Sequence, residues 1–269
     1  MPKREQRRAD RVAFEVVDGE MLILGRRLFG GSQQALLEQI GGLARGGKPS
    51  LLVTLNVDQT LNLQSDALFA KTVGGADLVV IDGTPITWLG KLLGAGQAHR
   101  NTGADLLPAV AEAAVDRDWV VAITGGSPTV TELAAAKLAE QHGARVVSVE
   151  FPFIDGPEDP TAEQVVEQLN DLQPSVVFLC LGSPKQELWF SQWCDRLPAA
   201  VYIGAGAAVD FAAGEVRRAP RLVQRLGLEW FYRLLQEPGR LAHRYLIRGP
   251  QFLLVVGRST LARLKSGQR

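Results

Sequence analysis

The residues able to do chemistry in this chain cluster at the ends of short apolar runs. The run LVVI ends in Asp82-Gly83-Thr84-Pro85, which puts one carboxylate at a strand terminus. Partial burial there raises a carboxyl pKa toward the range of a general base, although an ordinary turn is the commoner reason for an Asp-Gly pair. Thr124-Gly125-Gly126-Ser127 closes another run, and a helix starting near Ser127 would offer a phosphate its free N–H groups and dipole. Arg100, in HRNTGADLL, precedes a helix capped near Thr102 and carries the planar fork that clamps phosphates. Gly204-x-Gly206 has the spacing that opens a dinucleotide loop. Val209 stands where its third glycine belongs, however, and no acid ends a strand about twenty residues on. Lys185 lacks the glycines of a triphosphate-binding loop. NAD and ATP are therefore disfavoured. His99, His142 and His243 are scattered, and Asp58 and Asp66, eight apart, make a poor metal pair. Cys180 and Cys194 form no CxxC unit, so neither a zinc site nor a disulfide framework is supported, and a reducing compartment is the simplest setting.

These residues need a scaffold, and the apolar pattern describes one. Runs at 51–54, 77–81, 119–124, 146–149, 176–181 and 200–203 alternate with helical stretches such as ADLLPAVAEAAVDR and TELAAAKLAEQH. Continuous apolar runs separated by helices indicate parallel strands buried on both faces, hence an α/β fold with a doubly wound, Rossmann-like sheet. Nearly every run ends in small, polar or acidic residues, Thr54-Leu55-Asn56 among them, so together the ends outline one crevice. Ahead of the sheet, Asp18-Gly19 between two strand-like runs predicts an N-terminal β-hairpin, and Ser32 is a helix N-cap. Beyond Gly214, Leu222, Leu226, Trp230 and Leu234 recur every four residues, with Arg221, Arg225 and Arg233 one position earlier. This predicts a single basic amphipathic helix running from Pro220 to Pro238.

The chain has 269 residues, 46% of them hydrophobic and 22% charged, which excludes collagen, a disordered chain and a disulfide scaffold. Its net charge of zero conceals a division: residues 217–269 hold twelve Arg/Lys against two acids, and residues 1–216 hold 17 basic against 27 acidic side chains. Such a basic segment is either a solvated edge or a surface for an anionic partner, and the segregation favours the partner. A nucleic acid is excluded as that partner by the acidic core and the lack of a reader motif. The basic N-terminus has no apolar segment behind it, and no apolar run approaches the roughly 20 residues a spanning helix needs. The expected organisation is a disordered tail (1–11), an α/β core (12–216) and a basic helical appendage (217–269).

TLN at 54–56, ADLVVIDGTPITW at 76–88, HRNTGADLL at 99–107 and ITGG at 123–126 occur in order, followed by LGSPKQELW at 181–189, GAGAAVDFAAGEVRRAP at 204–220 and LEWFYRLLQEPGRLAHRY at 228–245. Through these blocks the chain, from about residue 12 to 256, resembles the WecG/TagA/CpsF family of bacterial glycosyltransferases. The resemblance implies a metal-independent, inverting transferase without cofactor. Its donor would be a UDP-sugar, in the best-known members UDP-N-acetylmannosamine and in others a UDP-glucose or related hexose. Its acceptor would be an undecaprenyl-diphosphate-linked sugar at the cytoplasmic face of the plasma membrane, in cell-wall or surface polysaccharide synthesis. It further implies that Asp82 is the catalytic base and that Thr54 and Asn56 lie near the sugars. Arg100 would contact the acceptor diphosphate and Gln186 the donor sugar. Asp210 and Phe153 would sit by the uridine, and backbone N–H groups of Gly125 and Gly126 would steady the leaving UDP. Arg221, Arg225, Arg233 and Arg240 would face the membrane and close the site. A tendency to self-associate through the core is also implied. A catalytically inactive UDP-sugar-binding assembly partner is the alternative, against which the joint presence of Asp82, Arg100 and Gln186 argues.

Overall fold

The computed structural model describes residues 12–266; the expected tail at 1–11 lies outside them. The chain begins with β1 (Phe14–Val17), β2 (Glu20–Ile23) and β3 (Arg26–Arg27), an antiparallel sheet whose first turn is Asp18-Gly19, as the hairpin pattern predicts. The main sheet comprises β4 (Ser50–Leu55), β5 (Leu78–Ile81), β6 (Val120–Thr124), β7 (Arg145–Val149), β8 (Val176–Leu179) and β9 (Val201–Gly204). All six strands are parallel, in the order β5-β4-β9-β8-β6-β7. These are the six apolar runs, shifted by one or two residues.

Helix α1 (Gln33–Ala44) starts at Ser32, whose hydroxyl accepts the Ala35 N–H. Next, α2 (Val57–Ser65) and α3 (Ala67–Gly75) follow β4, and α4 (Thr84–Leu92) and α5 (Gly103–Arg117) follow β5. Then α6 (Pro128–His142), α7 (Glu163–Leu172), α8 (Lys185–Trp193) and α9 (Ala208–Ala213) follow β6, β7, β8 and β9 in turn. Successive strand residues point to opposite faces, so Leu51, Val53 and Leu55 join one core with α2, α3, α4, α7 and α8, while Leu52 joins a second with α1, α5, α6 and α9. Neighbouring strands β4 and β9 thus send their chains to opposite faces. That is a topological switch point, where a crevice opens beyond the strand ends.

The C-terminal region departs from the single helix expected. It forms α10 (Arg221–Arg225), α11 (Glu229–Gln236) and α12 (Pro238–Ala242), then a π-helical segment (His243–Arg248), a 3-10 turn (Gly249–Gln251) and α13 (Phe252–Ser266). The break between α10 and α11 is Gly227, at φ +72°, where an added Cβ would meet Thr84 Cγ2 at 2.9 Å and the Trp88 ring at 3.0 Å. Only glycine takes that backbone conformation and that close approach readily. α13 returns to the core. Phe252 and Val255 are buried in the cluster that holds Phe14, and Ser259 Oγ accepts the Phe14 N–H at 2.8 Å. Pairing residues this far apart makes α13 part of the core's packing.

Candidate active site

A cleft of about 500 Å³ opens at the β4/β9 switch point. Its floor is formed by strand ends: Asn56 after β4, Asp82 after β5, and Ala205, Ala207 and Ala208 after β9. Arg100, Thr102 and Gly103 form one wall, while Arg218, Glu229, Trp230, Arg233, Arg244 and Tyr245 close it from the C-terminal region. Asp82 is held by its backbone, since its N–H donates to Leu55 O as the strand runs out. Its carboxyl meets solvent only in part, and burial raises its pKa from 3.8 to about 7. Arg100 and Arg244 oppose that rise, whereas Glu229 and Asp105 add to it. A carboxyl poised near neutrality can accept a proton at physiological pH.

The cations around it are ordered by acids. Arg100 donates to Glu229 Oε2 at 2.6 Å and to Gln224 Oε1 at 3.2 Å. Arg218 grips Asp105 through two bonds of 2.7 and 3.0 Å, and its Nε reaches Glu229 Oε1 at 3.2 Å. Glu229 therefore bridges two arginines and ties α11 to the core. Against the upward push of burial, the bonds from Arg218 and Thr102 hold the Asp105 carboxyl below its ordinary range. On the opposite side Arg244 donates to Asn56 Oδ1 at 3.3 Å, and Arg248 pairs with Asp58 at 2.7 Å. Arg233 lies 5.1 Å above the Phe211 ring.

The expected site residues fall into four groups. Asn56, Asp82, Arg100 and Arg233 line the cleft together. Thr54 and Gln186 are buried just beneath it, with the Thr54 hydroxyl donating to Gly204 O at 2.6 Å. Gly125, Gly126, Phe153 and Asp210 occupy the same edge of the sheet, after β6, β7 and β9, but are not part of the cleft lining. Phe153 is 85% exposed, with Lys185 Nζ 5.7 Å from its ring centre. Burial raises the Asp210 carboxyl, and Arg240 and Arg233 oppose that rise. Arg221 and Arg240 are exposed, the latter paired with Glu237. Arg225 lies in α10, with its side chain outside the described residues.

Sequence reasoning missed Arg218, Glu229, Asp105 and Arg244, and considered Asp58 only as half of a metal pair. Asp66, the other half, is instead the N-cap of α3. All four missed residues stand inside blocks already singled out, in HRNTGADLL, GEVRRAP, LEWFYR and LAHRY, but nothing local marks which of their charges turn inward. Among the described residues no three of His, Cys, Asp and Glu gather as a metal-ligand set.

A proton-accepting carboxyl walled by guanidinium groups suits a substrate that gives up a proton at one atom and carries negative charge at another. Group transfer involving an anionic substrate, on a doubly wound α/β scaffold, is the class so defined. Residues 21–266 match the model of the glycosyl transferase WecG/TagA/CpsF family, and the chain belongs to that family. Its reaction class is glycosyl transfer.

Proposed function

We propose that the protein transfers a sugar, with N-acetylmannosamine the first choice, from its UDP-sugar to an undecaprenyl-diphosphate-linked sugar, with inversion and without a metal ion. The observation that carries this reading is Asp82, with its pKa near 7, facing a cleft lined by Arg100, Arg218, Arg233 and Arg244. In a single displacement the acceptor hydroxyl loses its proton to Asp82 as its oxygen attacks the anomeric carbon. The bond from that carbon to the UDP oxygen breaks, and the electron pair leaves with UDP. The arginines stabilise the diphosphate charge at both ends, the role that a divalent ion plays in other transferases.

The work takes place at the inner face of the plasma membrane, in cell-wall or surface polysaccharide assembly. Among the described residues no helix is long and apolar enough to cross a membrane. Among the described residues, twelve of the twenty exposed large apolar side chains nevertheless lie between residues 222 and 264, including Leu222, Phe231, Leu246 and Ile247. Apolar exposure concentrated in one basic segment supports peripheral seating on lipid, where a polyprenyl acceptor is held.

The test is a thermal-shift and turnover panel with UDP, UDP-N-acetylmannosamine, UDP-N-acetylglucosamine and UDP-glucose, with chelator and with magnesium. A UDP-dependent rise in Tm that survives chelation, and sugar transfer to a polyprenyl-diphosphate-linked N-acetylglucosamine, are expected. No response to any UDP compound, with or without anionic vesicles, would overturn the reading. Transfer that chelator abolishes would overturn its metal-free part.

A further inference from the structure

Beneath the cleft lies a buried acid that the reaction scheme above does not use. Glu187 sits in the first turn of α8 with no solvent exposure. Its Oε1 accepts two hydrogen bonds, both of 2.9 Å, from Gln59 Nε2 and from Gln186 Nε2. Its Oε2 is buried without a hydrogen-bond partner among the described residues.

A carboxamide has a donating and an accepting end, so fixing one end fixes the other. With Nε2 on Glu187, Gln59 turns its Oε1 to the Asn56 N–H at 2.8 Å, while the Gln59 N–H donates to Asn56 Oδ1 at 3.0 Å. With its Nε2 on the same oxygen, Gln186 turns its Oε1 to the Gly206 N–H at 3.1 Å. One acceptor atom therefore sets both amides and links the loops after β4, β8 and β9. The sheet backbone makes room for it. A Cβ on Gly204 would lie 2.5 Å from Gln186 Nε2 and 3.1 Å from Glu187 Oε1, so a side chain there would displace the network.

We propose that Glu187 is a positioning residue for sugar recognition: its Oε1 orients the amide of Gln186 and, through Gln59, the loop that carries Asn56. The inference rests on reading Gln186 and Asn56 as sugar-binding residues. Its chemistry needs an acceptor at Oε1 rather than a negative charge. Burial raises the Glu187 carboxyl above its ordinary range, and the neutral acid still presents a carbonyl oxygen to both amides. Glutamine at this position presents the same acceptor; methionine fills the space without it.

Titration calorimetry on full-length wild type, Glu187→Gln and Glu187→Met, using UDP and the best UDP-sugar, tests this. The expected result for Glu187→Met is a loss of about tenfold in UDP-sugar affinity with UDP affinity little changed, the size of one lost hydrogen bond. Glu187→Gln should restore sugar affinity to within about threefold of wild type. Equal losses for UDP and UDP-sugar, no loss for either, or a Gln variant as impaired as the Met variant would overturn the proposal. A second readout does not depend on the donor. In ¹⁵N spectra the Gln59 and Gln186 side-chain NH₂ groups should exchange slowly with solvent in wild type and Glu187→Gln, and rapidly in Glu187→Met. Slow exchange persisting in Glu187→Met overturns the positioning role, even if no UDP-sugar binds and the functional reading fails separately. Should Glu187→Met not fold, Gln59→Met carries the test for the Asn56 wall, and unchanged sugar affinity there overturns the proposal.

Discussion

Asp82 titrates near pH 7, and its neighbours decide on which side of neutrality the protein works. As a base it must be ionised, so kcat/KM should rise with pH through about 7 and then level. Glu229 raises this pKa and Arg100 lowers it. Glu229→Gln should therefore move the rising limb to lower pH, and Arg100→Gln should move it to higher pH; pH–rate profiles of the two variants check the opposite signs. Asp82→Asn should lower turnover by about 10²–10⁴-fold while UDP binding remains. The same carboxyl costs stability. Below its ordinary pKa of 3.8 it is protonated folded or unfolded, and there is no cost. Between 3.8 and about 7 the unfolded chain ionises while the folded one resists, so folding weakens as pH rises, reaching a constant deficit above about 7. A rise of about three units would amount to about 4 kcal/mol, and solvent in the cleft reduces it. Asp82→Asn should thus be about 1–2 kcal/mol more stable than wild type at pH 8 and no more stable at pH 3.5, read from denaturant melts.

Secondary elements were legible in proportion to how local their causes are. Five strands announce themselves as continuous apolar runs because both faces of a parallel sheet are covered, and the edge strand β7 keeps the pattern although only Val149 is buried in it. The hairpin follows from Asp18-Gly19, and the caps at Ser32, Thr102 and Ser127 follow from their hydroxyls. The break at Gly227 was not legible: the four-residue spacing of Leu222, Leu226, Trp230 and Leu234 continues straight through it. What sets the break is contact with Thr84 and Trp88, more than a hundred residues away in sequence. The same limit applies to the site. Asp82 and Arg100 could be found at element ends, whereas the bridge from Arg100 through Glu229 to Arg218 joins two segments 129 residues apart with no shared period. Gly227→Ala should therefore loosen α10 and α11 without unfolding the sheet. The expected cost is about 1–3 kcal/mol, visible as faster proteolysis between residues 220 and 237.

Across the whole molecule the opposed charges of the two segments meet at a few places around the cleft. Arg218, Arg244 and Arg248 reach Asp105 and Asp58 in the acidic part, and Arg258 donates to Gln64. These four arginines are thereby turned inward, and large apolar side chains are left outward. Vesicle binding should accordingly survive salt that screens surface charges, where the Debye length falls to about 3 Å at 1 M. A Leu246→Glu, Ile247→Glu double variant should reduce co-sedimentation with vesicles about tenfold or more at any salt concentration. Phe252 belongs to the core and also lines the cleft, so Phe252→Ala should cost about 3–5 kcal/mol, read from denaturant melts.

The seat of α13 against β1 also bears on how the chain comes off the ribosome. Phe14 is translated 245 residues before the serine whose hydroxyl receives its N–H, and its ring waits nearly as long for the edge of Phe252. Throughout that interval the hairpin leans on the segment after β5, where the Gly96 N–H donates to Gly19 O and Ile86 and Leu89 share its core, but Phe14 lacks its last neighbours. The first strand to be made is thus among the last to be secured.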